Sequence, residues 1–442
     1  MKFRGVKTTS PRNHQPSYSK QLNAALATFA LVIALAMVAP GPAFAQTYSV
    51  IYDFAGGPLG ATPMAGLVMD RAGNLYGTTY SGGGGTCPTT YYYPGCGTVF
   101  KFNPSTGRFT VLYEFTGGTD GSLPFAPLLI APDGTLYGSA TSGGADSCAG
   151  YQGISGCGVV FHLQPRPTPP RNVLENYWLE TPIYTFQGSP DGNAPYGDLA
   201  MDASGDIYGA TAGGGSENQG FVFELTPSDG SWSESTLHNF LQGTSDGNSP
   251  FGGVTLYRGN IYGTAFGGGT GGAGVVFQLL AGSGWMENLL YQFTGGSDGA
   301  NPTSGVTFNA GNLYCTTQNA GSGGPPPAGN AFELSGGNWT YHLLYSFAGD
   351  DGPILSDLIF DPSGNIYGTT FEGGAHGEGA VFKLTPTMGG YIYTSLHDFC
   401  SESNCADGAE PQGTLVMDSS GNLYGTTTAG GTGFGVIFKI TP

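Results

Sequence analysis

Basic side chains are scarce in this 442-residue chain: 13 Lys and Arg face 31 Asp and Glu, a net charge of −18. A surface so acidic repels phosphate backbones, which makes nucleic acid a poor partner. Phosphate-cradle motifs are missing too, because the Gly runs lead into no helix and carry no following Lys. Gly-x-Ser-x-Gly and His-Glu-x-x-His are absent, which removes the serine-hydrolase elbow and the zinc-protease helix. No Cys-x-x-Cys pair offers a zinc site. Histidines offer little. His238 and His397 occupy a slot held elsewhere by Tyr52, Tyr113, Tyr184, Tyr291 and Tyr345, and His376 stands alone in a Gly-rich loop. After residue 45, no apolar run reaches membrane-spanning length.

What the chain has in abundance is Gly, 79 residues, beside 30 Pro. Without a period that share would read as disorder. Here the glycines recur in register. The phrase around Leu75-Tyr76-Gly77-Thr78 returns at Tyr137, Tyr208, Tyr262, Tyr314, Tyr367 and Tyr424, at spacings of 61, 71, 54, 52, 53 and 57 residues. Each copy reads as two short strands joined by a Gly turn. A third strand follows, with its Phe at 100, 161, 223, 277, 332, 382 and 438, then a fourth ending at Phe115, Phe186, Phe240, Phe293, Phe347 and Phe399. Four antiparallel strands per unit, seven times, predict a seven-bladed β-propeller of four-stranded blades, since a lone blade buries neither face. The first strand after residue 46, Tyr48 to Phe54, is of the fourth type, and the last, Gly435 to Ile440, is of the third. Pairing Ile51–Phe54 with Val436–Ile440 closes the ring.

Residues 1–45 read as a secretory signal. Lys2, Arg4, Lys7, Arg12 and Lys20 precede the apolar run Ala24–Ala39, and Ala43-Phe44-Ala45 is a small-x-small cleavage site. Residues 46–442 are then the propeller. Removing the signal takes five basic residues and leaves eight against 31 acids, a net charge of −23. Seven Cys fit export. Six of them allow 15 pairings, and local pairs within loops are the natural choice: Cys87 with Cys96, Cys148 with Cys157, Cys400 with Cys405. Cys315 replaces the Gly of the repeated phrase and reads as a small buried residue. The expected location is outside the cytoplasm of a bacterium, secreted, periplasmic or on the cell surface.

The Leu-Tyr-Gly-Thr-Thr phrase, the Gly-Gly after it and the Gly-x-Val-Phe strand resemble the GloVer tandem repeat of bacterial proteins, over nearly all of the chain beyond the signal. The resemblance implies an exported or surface β-repeat protein of unassigned activity.

Asp-Gly precedes the first strand at Asp120, Asp191, Asp246, Asp298, Asp351 and Asp407. As a ring of carboxylates these would suit Ca²⁺, a hard cation with oxygen ligands. As turns, each Asp bonds its own backbone while Gly takes positive φ. No other cofactor is implied. Aromatics follow the turn between third and fourth strands at Phe109, Trp178, Trp232, Trp285, Trp339 and Tyr391, as sugar platforms or as cover for the sheet rim. Catalysis would have to break the symmetry. Asp198 and Asp357 do so, standing before first strands where other copies have Gly, Pro or Thr. First strands line the axis, so the two carboxyls would face each other as acid and base do in glycosidases. The leading reading is a monomeric binding module for an extracellular polysaccharide or protein, and the alternative is a carbohydrate-active enzyme. The ligand is expected at the axis on the face of the Cys loops, where Tyr91, Tyr92, Tyr93 and Tyr151 sit between paired cysteines.

Overall fold

The computed structural model describes residues 46–87, 94–145, 148, 155–165, 178–243, 246–319, 329–347 and 351–441, besides Met1 and Gly5. Residues 1–45, expected from the sequence to be a secretory signal, therefore lie almost wholly outside the described residues. Contacts divide the chain into the units 1–45 and 46–442. The second unit is a ring of seven four-stranded antiparallel sheets. Among the described residues no helix is long and apolar enough to cross a membrane.

Blade one shows the common plan, with strands Val68–Met69, Leu75–Thr79, Thr98–Asn103 and Arg108–Glu114. The seventh blade takes Val416–Met417, Leu423–Thr426 and Val436–Thr441 from the end of the chain, and Thr47–Asp53 from its start. Tyr48 pairs with Ile440, Val50 with Phe438 and Asp53 with Val436. The ring is closed as the offset termini predict, with the pairing beginning a few residues earlier, at Thr47.

Phe side chains hold neighbouring blades together. The third-strand and fourth-strand Phe are fully buried in every blade. A fourth-strand Phe packs on the third-strand Phe of the next blade at 4.9 to 5.5 Å between ring centroids, from Phe54–Phe100 round to Phe399–Phe438. Each such pair contributes about 0.5–1.5 kcal/mol beyond its burial. The repeated Gly makes room for them. A Cβ on Gly77 would stand 2.6 Å from the Phe100 ring. In blade five Cys315 fills that position, is buried, and has its thiol pushed up to about 12 by that burial.

Every fourth strand carries one extra residue opposite its partner, as Leu112 does between the pairs Phe100–Val111 and Val99–Tyr113. Such a bulge bends the strand and re-aims the residues beyond it. The next position is the Tyr or His slot, which in each of the first six blades reaches the Asp of the turn leading into the next blade.

Candidate functional site

The three disulfides form as paired from the sequence: Cys87–Cys96, Cys148–Cys157 and Cys400–Cys405. They lie on the face of the Asp-Gly turns. Cys87 Sγ would stand 2.4 Å from a Cβ on Gly117, three residues before Asp120. Tyr91, Tyr92, Tyr93 and Tyr151 lie outside the described residues.

On this face a bowl of about 540 Å³ opens at the ring axis. Its wall is built by one position per blade. After each Asp-Gly turn, or after Leu59-Gly60 in blade one, the chain passes through a left-handed residue, such as Thr62, Leu123, Ala194, Ser249, Asn301 or Glu410. A Pro follows in each case, and the residue after it lines the bowl: Met64, Phe125, Tyr196, Phe251, Thr303 and Gln412. In blade six the left-handed residue is Gly352, and Leu355 lines the wall. The N–H of the left-handed residue bonds the preceding blade, as Leu123 N–H does to the Cys96 carbonyl at 2.9 Å. The backbone is thus pinned just before each lining side chain. Tyr80 and Phe266 complete an aromatic arc, Tyr80–Phe125–Tyr196–Phe251–Phe266, with edge or tilted contacts of 5.4 to 6.2 Å. Thr303, Gln318, Leu355 and Gln412 form the opposite side. Among the described residues no Lys, Arg or His lines the bowl.

Below the bowl lies a chamber of about 70 Å³, and here the structure brings Asp198 and Asp357 together. Their side chains hydrogen-bond to one another across the axis. Gly305 N–H donates to Asp357 Oδ1 at 2.7 Å, and Asp357 N–H donates to Thr414 Oγ1 at 3.1 Å. Protein surrounds both carboxyls, yet each keeps some surface open to the chamber. Burial first, and the charge of Asp357 second, hold Asp198 well above the carboxylate range. Burial pushes Asp357 up to about 6, against the Gly305 N–H and Asp198, which pull it down. One proton shared between two carboxyls is the arrangement this favours. Nearby, Thr303 Oγ1 is buried without a hydrogen-bond partner.

The Asp-Gly carboxylates are engaged by their own turns. Asp120 accepts from Tyr113 OH at 2.9 Å, Thr116 N–H at 2.7 Å and Gly118 N–H at 3.2 Å. Asp191 and Asp298 repeat this with Tyr184 and Tyr291, and Asp351 accepts from Tyr345 OH at 3.2 Å. His238 and His397 take the same place against Asp246 and Asp407, at 3.3 and 3.0 Å. The six carboxylates are therefore distributed one to a turn.

The next blade adds one residue at each of these seams. Tyr341, Tyr393, Tyr48 and Phe109 stack on Tyr291, Tyr345, His397 and Tyr52 at 3.5 to 5.1 Å. Phe109 thus sits two register positions away from the Trp set with which its sequence groups it. Glu180 and Glu287 take the same position at two other seams. Burial first, and Asp120 second, push Glu180 up to about 8. Burial and then Asp246 push Glu287 to about 9. Among the described residues, His238, Asp246 and Glu287 are the one group with three metal-ligating atoms within 4.8 Å of one another.

On the far face Trp232, Trp285 and Trp339 lie against Tyr137, Tyr208 and Tyr262 of the preceding blade at 5.9 to 6.1 Å. A groove of about 420 Å³ there is lined by Tyr257, Arg258, Tyr262 and Trp339.

The model of the Gloeobacter/Verrucomicrobia repeat matches residues 42–178, 152–325 and 309–442. The chain belongs to this repeat family. The family's repeat supplies the blade plan, while the bowl is made by positions at which the copies differ. No curated protein matches the chain by sequence. Similar solved structures include the periplasmic gluconolactonase PpgL of Pseudomonas aeruginosa, at 16% identity over 80% of this chain and 92% of that one, with a TM-score of 0.49. The polysaccharide lyase Uly1 is similar at 14% identity, over 91% and 94% of the two chains, with a TM-score of 0.47. The extracellular domain of a protein described as a hybrid two-component system, from B. thetaiotaomicron, matches at 11% identity and a TM-score of 0.48. That match covers 90% of this chain and 41% of that one.

Proposed function

We propose that the protein is a secreted or periplasmic binding module that takes a polysaccharide or protein ligand at its axial bowl and acts as a monomer. The observation that carries this reading is the aromatic arc. Five rings from four blades edge one concave site; Phe125, Tyr196, Phe251 and Phe266 keep part of their surface exposed, while Tyr80 is buried at the end of the arc. Rigid rings on a closed scaffold lose little entropy on binding. Thr303, Gln318 and Gln412 opposite them offer neutral hydrogen-bonding groups. Export fits the three disulfides, which persist in oxidising compartments.

The acid pair gives less support to hydrolysis. Glycosidase carboxyls stand about 5–5.5 Å apart in retaining enzymes and about 6.5–9.5 Å apart in inverting ones. Asp198 and Asp357 are hydrogen-bonding partners, a closer approach than either of these arrangements. A glycan array with the purified protein, paired with product analysis of every bound glycan, tests the reading. Binding without turnover is the expected result, and release of shortened products overturns it. For that enzyme outcome, Asp198→Asn combined with Asp357→Asn assigns the chemistry to the pair only when activity is lost.

A further inference from the structure

The floor of the bowl holds two carboxyls that share one proton in place of a cationic partner. Two carboxyls meet at the axis; among the described residues Gly305 N–H is the one backbone donor bonded to them, and no Lys, Arg or His lines either the chamber or the bowl. The two cannot both ionise at contact distance unless a cation joins them. Directly above, ring edges and faces surround the opening, and aromatic faces attract cations. The buried Thr303 hydroxyl beside them lacks a partner. A chamber of about 70 Å³ exceeds the ~30 Å³ share of one water. It has room for a group of ammonium size. The acidic surface raises the local concentration of cations around the molecule.

We propose that the bowl recognises an amino-sugar polymer in its free-amine form, one ammonium entering the chamber between Asp198 and Asp357 while the pyranose rings lie along the aromatic arc. This inference rests on the binding reading above and gives its ligand class. A primary ammonium has three N–H donors. Two of them satisfy the carboxyls. The shared proton leaves to solvent as the ammonium arrives, so charge balances with two carboxylates, one bound cation and one proton released. A sugar is favoured over a lone lysine side chain by the width of the bowl. The arc spans four blades, and Gln318 and Gln412 on the other side suit hydroxyls. An N-acetylated sugar brings no positive charge and leaves the pair as it is.

Calorimetric titration of the full protein at mildly acidic pH tests this, using a glucosamine oligosaccharide and its fully N-acetylated counterpart of equal length. The free-amine form is expected to bind at least about tenfold more tightly. That preference should disappear in the Asp198→Asn, Asp357→Asn double variant and shrink with added NaCl in the wild-type protein. The salt series keeps the test decisive should the double variant not fold. Equal binding of both oligosaccharides, with no salt dependence, overturns the inference and leaves the binding reading standing. Binding of a lysine-rich peptide but of neither oligosaccharide overturns the sugar class. Heat from CaCl₂ alone that the double variant abolishes assigns the pair to a metal ion instead. No binding of any of these defeats the amine inference, and the glycan array then decides the broader reading separately.

Discussion

The two faces of the ring use aromatic side chains differently. On the far face they are spent on blade contacts: Tyr257 stacks on Phe308 at 3.9 Å, and Tyr262 meets Trp339 at 5.9 Å. The groove beside them belongs to a single seam and contains Arg258 over the Tyr257 ring. On the Asp-Gly face the rings touch at their edges and border an open bowl to which all seven blades contribute. Repetition therefore yields packing where the residues repeat and a site where they do not. A sevenfold scaffold acquires a onefold centre because the position after the Pro is not needed for blade stacking.

The harshest way to break the comparison is to open the ring, since both faces depend on closure. Deleting Tyr48–Phe54 removes the outer strand of blade seven and the Phe54–Phe100 contact. The expected loss exceeds the ~3–5 kcal/mol of one buried Phe→Ala change. A thermal melt checks it, and an unchanged melting temperature would sink the closure.

A milder break uses the acid seams of the Asp-Gly face. Glu180 is raised to about 8 and Asp357 to about 6, so the folded protein holds protons that the unfolded chain releases above its ordinary carboxyl range. Their raised values cost nothing below pH ~4.5. Stability then falls as pH rises, first through about 6 and then through about 8. Glu180→Gln keeps the shape without the charge. It should flatten the upper part of that decline and raise the melting temperature at pH 8.5 by about 1–2 °C. A variant that melts like the wild type at both ends of the range would show that Glu180 does not titrate this way.

The smallest effect expected is at the thiols. Counting under denaturing, non-reducing conditions should find one, from Cys315, the free cysteine of the folded chain. Seven in protein taken from its native compartment would remove the oxidising-compartment argument.

Much of the fold is legible in the sequence because its determinants repeat. Seven Tyr-Gly phrases, paired Phe positions and offset terminal strands dictate blades and closure. Asp198 and Asp357 are legible as the places where first-strand residues depart from Gly, Pro or Thr. Their direct contact is not, because it depends on how narrow the axis becomes when seven blades close. The bowl escapes a sequence reading for the opposite reason. Attention to repeated residues passes over Met64, Phe125, Tyr196, Phe251, Thr303 and Gln412, which differ from one another. The signal for them is the Pro before each. Glu180 and Glu287 are not legible at all, because what covers them comes from the neighbouring blade, not from their own strand.

The most direct test of the central claim sets the two faces against each other with one ligand found on the array. Phe251→Ala and Tyr196→Ala line the bowl, and Trp339→Ala lines the far groove. The bowl variants are expected to weaken binding about tenfold or more, as loss of a ring contact worth ~1–3 kcal/mol would, while Trp339→Ala leaves it unchanged. Binding that survives both bowl changes and falls with Trp339→Ala would contradict the account and place the site on the far face.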